Sequence, residues 1–117
     1  MSKVVIYHNP KCSNARGALE LLREAGIEPE IRLYLEHPPS VEELRRLLAD
    51  MKMPARALLR RKEKIYAELE LDDPKWTEEQ LLGWMHQHPI LIERPIVVTP
   101  KGTRVCRPPE TVLALLP

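Results

Sequence analysis

The chain has 117 residues, 44% hydrophobic and 30% charged, which suits one soluble globular domain and leaves no room for a second core. Lys plus Arg number 18 against 17 Asp plus Glu, so the net charge of +1 excludes a general affinity for nucleic acid or anionic membrane, and any anion site must be local. No apolar run of about 18 residues is available to span a bilayer. Met1-Ser2-Lys3 runs straight into a short strand without a signal-peptide pattern, so the expected compartment is the cytoplasm.

In chain order, Val4 to Tyr7 reads as an apolar strand, followed by a turn, His8-Asn9-Pro10-Lys11-Cys12, and a helix beginning near Ser13. Ala15, Ala18, Leu19, Leu22 and Ala25 recur at helical spacing, and Gly26 supplies the stop. Ile27 to Tyr34 is a second extended run, which makes the opening a βαβ unit with a right-handed crossover to a parallel neighbour. Ser40 with Glu43, and Thr77 with Gln80, each have capping-box spacing. The first precedes a helix with Val41, Leu44, Leu47, Leu48 and Met51 on its apolar stripe. The second precedes one whose expected inward face is Leu81, Trp84, Met85 and His88. Short helices are expected over Ala55 to Arg61 and Ile65 to Leu69. Ile96 to Thr99 and Thr103 to Cys106, joined by Pro100-Lys101-Gly102, form an antiparallel hairpin, and a terminal helix should bury Val112, Leu113 and Leu116. The expected architecture is α/β: a single domain over residues 1–117 with a helical insertion over about 40–90.

Chemistry concentrates in the first turn. Cys12 stands at a helix N-terminus, where unpaired N–H groups and the positive end of the helix dipole favour a thiolate and can also hold an oxyanion. Taken alone, Cys12 reads more readily as a small buried packing residue than as a reactive thiol; Lys11 and Arg16 flanking it, His8 four residues before and the polar Asn9-Pro10 turn reverse that preference. His8 has two readings: protonated, it lowers the thiol pKa; neutral, it hydrogen-bonds within the turn. Cys106, next to Arg107 at a strand end, reads as a packing residue. His37, His86 and His88 form no metal-like cluster, and neither a C-x-x-C pair nor metal-ligand spacing is present. Arg60, Arg94 and Arg107 lie near the ends of predicted elements, where arginine forks suit a tetrahedral oxyanion. The bland alternative is three solvated cations balanced by acids such as Glu63 and Glu93.

Ile6-Tyr7-His8-Asn9-Pro10 with Cys12, Leu33-Tyr34-Leu35-Glu36 with Pro38-Pro39-Ser40, Arg56-Ala57-Leu58-Leu59-Arg60, and Gln87 to Ile92 through Arg94 to Pro100 closely resemble the glutaredoxin-dependent arsenate reductase family. Gly102-Thr103-Arg104 and Cys106-Arg107-Pro108 continue the match, which covers essentially the whole chain. The resemblance implies a thioredoxin-like mixed sheet flanked by helices and reduction of arsenate to arsenite. It casts Cys12 as nucleophile and Arg60, Arg94 and Arg107 as oxyanion ligands, with no bound cofactor. Glutathione is the implied co-substrate, glutaredoxin the implied partner, and Pro95 is implied to be cis. Ala15, three residues after Cys12, stands where the family commonly has a hydroxyl residue. A competing class within the resemblance is a redox-responsive regulator that binds RNA polymerase; such proteins typically carry a C-x-x-C switch, which Cys12-Ser13-Asn14-Ala15 is not.

Overall fold

The computed structural model describes residues 3–117, so the readings of Met1 and Ser2 lie outside the described residues. The chain divides into two compact units. The chain up to His37 together with Arg94–Pro117 makes a sheet unit, and Pro38–Glu93 makes a helical unit.

In the sheet unit, β1 (Val5–His8), β2 (Glu30–Leu33), β3 (Ile96–Thr99) and β4 (Gly102–Val105) form one sheet in the order β2-β1-β3-β4. β1 and β2 are parallel, with Ile6 opposite Ile31; β3 runs antiparallel to β1, with Ile6 opposite Val97, and β4 antiparallel to β3. The parallel pair requires a crossover, which helix α1 (Ser13–Glu24) provides. α1 ends where Gly26 takes φ 81°. The Gly26 amide donates to the Arg23 carbonyl at 3.0 Å and the Ile27 amide to that of Leu22 at 2.9 Å, a Schellman closure that releases the chain into β2.

Ile6 and Val97 from the sheet, Ala18, Leu19 and Leu22 from α1, and Cys106, Val112 and Leu115 share one buried core. The terminal segment differs from expectation. Pro109–Leu115 is 3-10 helical, so Val112 and Leu115, three apart, turn inward together and Leu113 is half exposed. Buried Thr99 Oγ1 donates to the Leu115 carbonyl at 2.7 Å and pins this segment to the sheet.

The helical unit contains α2 (Val41–Met51), α3 (Ala55–Leu58), α4 (Lys64–Glu68) and α5 (Glu78–Gln87), then a 3-10 turn at Pro89–Leu91. The Ser40 hydroxyl accepts from the Glu43 amide, and Thr77 with Gln80 forms a complete reciprocal capping box. The buried face of α5 is Leu81, Leu82 and Met85, rather than one running through Trp84 and His88. Trp84 is partly exposed because it meets Trp76 edge-on at 5.6 Å and stacks on His88 at 6.0 Å, so the aromatic rings pack on one another at the rim. α3 stops earlier than expected. Leu59 leaves the helix to bridge Ile92, and the Arg60 amide donates to the Leu91 carbonyl at 2.8 Å.

Leu22 has no exposed surface and sits at the centre of the sheet-unit core. Leu22→Ala is expected to cost about 2–5 kcal/mol of stability, read as a lower urea midpoint with an unchanged slope. A loss under about 1 kcal/mol would mean the site is not packed as described.

Candidate active site

The cysteine turn is built by backbone bonds. Asn9 Oδ1 accepts from the Lys11 amide at 3.0 Å, and the Asn9 carbonyl accepts from the Cys12 amide at 2.9 Å, which reverses the chain after β1. Cys12 is then the N-cap of α1, with extended φ and ψ of −93° and 121°, and its carbonyl takes the first helical bond from Arg16 at 3.0 Å. The Arg16 guanidinium donates to the Pro10 carbonyl at 2.8 Å and closes the turn from the helix side.

An N-cap side chain faces the amides two and three residues on. Here that places the Cys12 sulfur toward Asn14 and Ala15. The neutral side chain makes no capping hydrogen bond, but the charged form is favoured. Burial pushes the Cys12 pKa up; the Ala15 amide, the Arg94 side chain, the Asn14 amide and the Arg94 charge together outweigh it, leaving the pKa below that of an ordinary thiol.

Arg94 lies two residues before β3 and Arg107 two residues after β4, so the two antiparallel strands deliver both arginines to the cysteine turn. Arg107 Nη1 lies 3.9 Å from Cys12 Sγ and donates to the Arg94 carbonyl at 3.1 Å. With the Asn14 carboxamide oriented so that acceptor meets donor, its oxygen also accepts from Arg107 Nη1 at 3.1 Å and Nη2 at 3.2 Å. Cys12, Arg94 and Arg107 thus come together within the sheet unit, with Asn14 as a further member. The Arg94–Pro95 bond is cis, as the resemblance implies, and so is Arg107–Pro108.

Arg60 belongs to the helical unit. Its side chain is 15% exposed and held by carboxylates, with Nε at 3.0 Å from Glu63 and Nη1 at 2.5 Å from Glu93. These are the two balancing acids named on the sequence. Burial opposes its charge, and Glu63 and Glu93 more than compensate, so its pKa is raised.

His8 is buried, and burial, then the charges of Arg23 and Arg16, lower its pKa, so its imidazole is neutral at pH 7. Its buried Nδ1 has no hydrogen-bond partner among the described residues. The groups that act on the thiol are those named above, and an imidazolium is not among them. Cys106 is fully buried in the core, and burial pushes its thiol up to about 11. His86 Nδ1 is bonded to the Pro39 carbonyl at 2.9 Å, and no group of His, Cys, Asp or Glu suited to a metal occurs among the described residues. No helix among them is long and apolar enough to cross a membrane.

The ArsC family model matches residues 7–115. The chain belongs to the ArsC family. An arsenate reductase of Escherichia coli is 56% identical over 117 residues, covering 100% of this chain and 83% of that protein. One from Rhizobium meliloti is 50% identical over 114 residues, 97% of this chain and 81% of that protein. The solved structure of an arsenate reductase from Vibrio cholerae superposes with a TM-score of 0.94 at 50% identity, covering 97% of this chain and 98% of that one. This ArsC-family fold is the thioredoxin-like mixed sheet with helices.

On the sequence Asn14 is, with Ser13, only a candidate to replace the hydroxyl that Ala15 lacks beside the thiol, not a partner for an arginine. Its contact with Arg107 spans 93 positions, and nothing local to either residue signals it.

Alkylation with iodoacetamide across pH, followed by peptide mass spectrometry, is expected to modify Cys12 with an apparent pKa below that of an ordinary thiol and to leave Cys106 unmodified in the folded protein. Arg94→Ala should move the Cys12 profile to higher pH and slow its labelling at neutral pH roughly tenfold, the effect of losing one adjacent charge. An unmoved profile would remove Arg94 from the thiolate's support.

Proposed function

We propose that this ArsC-family protein reduces arsenate to arsenite, with glutathione as reductant and glutaredoxin regenerating the enzyme. The observation that carries the reading is the Cys12 sulfur, which faces the amides of α1 and has Arg107 Nη1 at 3.9 Å and Arg94 acting on its charge. A nucleophile and donors for an oxyanion occupy one turn. The names of the relatives supply the substrate.

In this mechanism the Cys12 thiolate attacks arsenic, a sulfur–arsenic bond forms, and one arsenate oxygen leaves as water after taking up protons. Arg94 and Arg107 offset the negative charge that would repel a thiolate from an anion, and Arg60 is the third ligand on the family resemblance. A glutathione thiolate then attacks the Cys12 sulfur. The sulfur–sulfur bond forms as the sulfur–arsenic bond breaks, and the bonding pair stays on arsenic, which falls from the pentavalent to the trivalent state. Arsenite leaves, and the two sulfurs have lost the two electrons gained. A glutaredoxin thiol attacks the glutathione sulfur and releases Cys12 as thiolate. An external thiol is needed because the position three after Cys12 is Ala15 and the second cysteine is buried with a raised pKa.

Arsenate-dependent NADPH oxidation, coupled through glutathione reductase with glutathione and glutaredoxin present, tests the reading. Wild type should turn over and Cys12→Ser should not. Arg94→Ala, Arg107→Ala and Arg60→Ala should each lower kcat/KM roughly a hundredfold to a thousandfold. Because the Cys12 pKa is depressed, the rate should fall with decreasing pH at a midpoint below that of an ordinary thiol, as the thiolate is protonated. A wild-type protein inert toward arsenate, with Cys12 titrated as reduced, would overturn the proposal.

A further inference from the structure

Arg107 is an exposed arginine on an irregular segment after β4. Such a side chain carries substantial rotamer entropy, and an anchor is needed if it is to meet a ligand in one pose. Asn14 supplies one. With its carboxamide in the orientation that pairs acceptor with donor, the Asn14 oxygen accepts from both Nη1 and Nη2, at 3.1 and 3.2 Å, while the Arg94 carbonyl takes Nη1 at 3.1 Å. Asn14 is itself immobilised as the second residue of α1, two residues from the cysteine whose sulfur Arg107 approaches.

We infer that Asn14 is a positioning residue that holds the Arg107 guanidinium over Cys12 for oxyanion binding, an inference that rests on the arsenate reading above. The chemistry of the acceptor matters. A carboxylate would hold Arg107 as firmly but set a negative charge beside the thiolate. A carboxamide fixes the fork and leaves the positive charge for the anion. Ala15, the next residue, is fully buried and acts through its backbone amide alone, so the polar side chain of this turn that faces the site is that of Asn14.

The test uses the full chain and two readouts. The first is the arsenate concentration that half-protects Cys12 from iodoacetamide, which needs no turnover; the second is the split between arsenate KM and kcat in the coupled assay. Asn14→Leu, close in shape and without the acceptor, should raise the half-protecting concentration and KM roughly tenfold, the effect of losing a hydrogen bond to a charged group, while the pH profile of Cys12 alkylation stays in place. Asn14→Ala serves as a second variant should the leucine impair folding. In an Arg107→Ala background either substitution should have no further effect. Equal losses in both backgrounds, an unchanged half-protecting concentration, or no arsenate protection of the wild type would each overturn the inference. Coupled protection without turnover would instead leave Asn14 in its role and remove the reductase reading.

Discussion

A helix has amides at its first turn that no carbonyl of its own can satisfy, and in α1 those of Asn14 and Ala15 act on the sulfur of the N-cap residue. The placement depends on where the helix starts. β1 ends at His8, the Asn9 bonds reverse the chain over Pro10 and Lys11, and helical φ and ψ begin at Ser13. Moving the start by one residue would put a backbone carbonyl or a solvent-facing side chain where the amides now point. The thiolate is therefore a property of the strand-to-helix junction more than of the cysteine, and Cys106, with a core around it instead of a helix start, has its pKa shifted the opposite way.

The cationic part of the site follows from sheet order. With β3 next to β1 and β4 next to β3, the residues before β3 and the residues after β4 share one end of the sheet with the end of β1. Arg94 and Arg107 reach Cys12 for that reason, and short side-chain bonds finish the placement. The two classes of arginine partner have different electrostatic consequences. Neutral oxygens from Asn14 and Arg94 hold Arg107 without spending its charge, whereas paired carboxylates hold Arg60 inside a locally anionic cluster.

Much of this was legible in the residues. The strand, the turn signal at Asn9-Pro10, the helix periodicity and Gly26 placed Cys12 at a helix start, because each depends on neighbours within a few positions. The Ser40 hydroxyl caps the Glu43 amide and Thr77 with Gln80 forms the full reciprocal box, both at the positions their spacing predicts. The misses are tertiary. Trp84 has a residue type that suits a core, yet its partners are Trp76 and His88 at the rim, and Leu113 turned outward when the last helix tightened to three residues per turn. The state of His8 depended on its burial and on Arg23 and Arg16, about three turns and one turn along α1, none of which the composition of the turn reveals. Asn14 met Arg107 through sheet order, which a local pattern does not encode.

The sheet unit is assembled from both ends of the chain, with β1 pairing β3 across the whole helical unit, Val5 lying opposite Val98. A contact between Cys12 and Arg107 closes a loop of 95 residues, at an entropic cost of about 4 kcal/mol beyond a constant. During synthesis β1 and α1 leave the ribosome first and can pair only β2; the central strand then waits, one edge open, until Ile96 and its neighbours arrive. Pro38–Glu93 has its contacts in one continuous stretch and can order in that interval. The last segment made is also the one that seals the core through Val112, Leu115 and the Thr99 bond. A chain stopped before about residue 94 would therefore present an apolar strand with an unpaired edge, the species that chaperones retain and that aggregates when they do not.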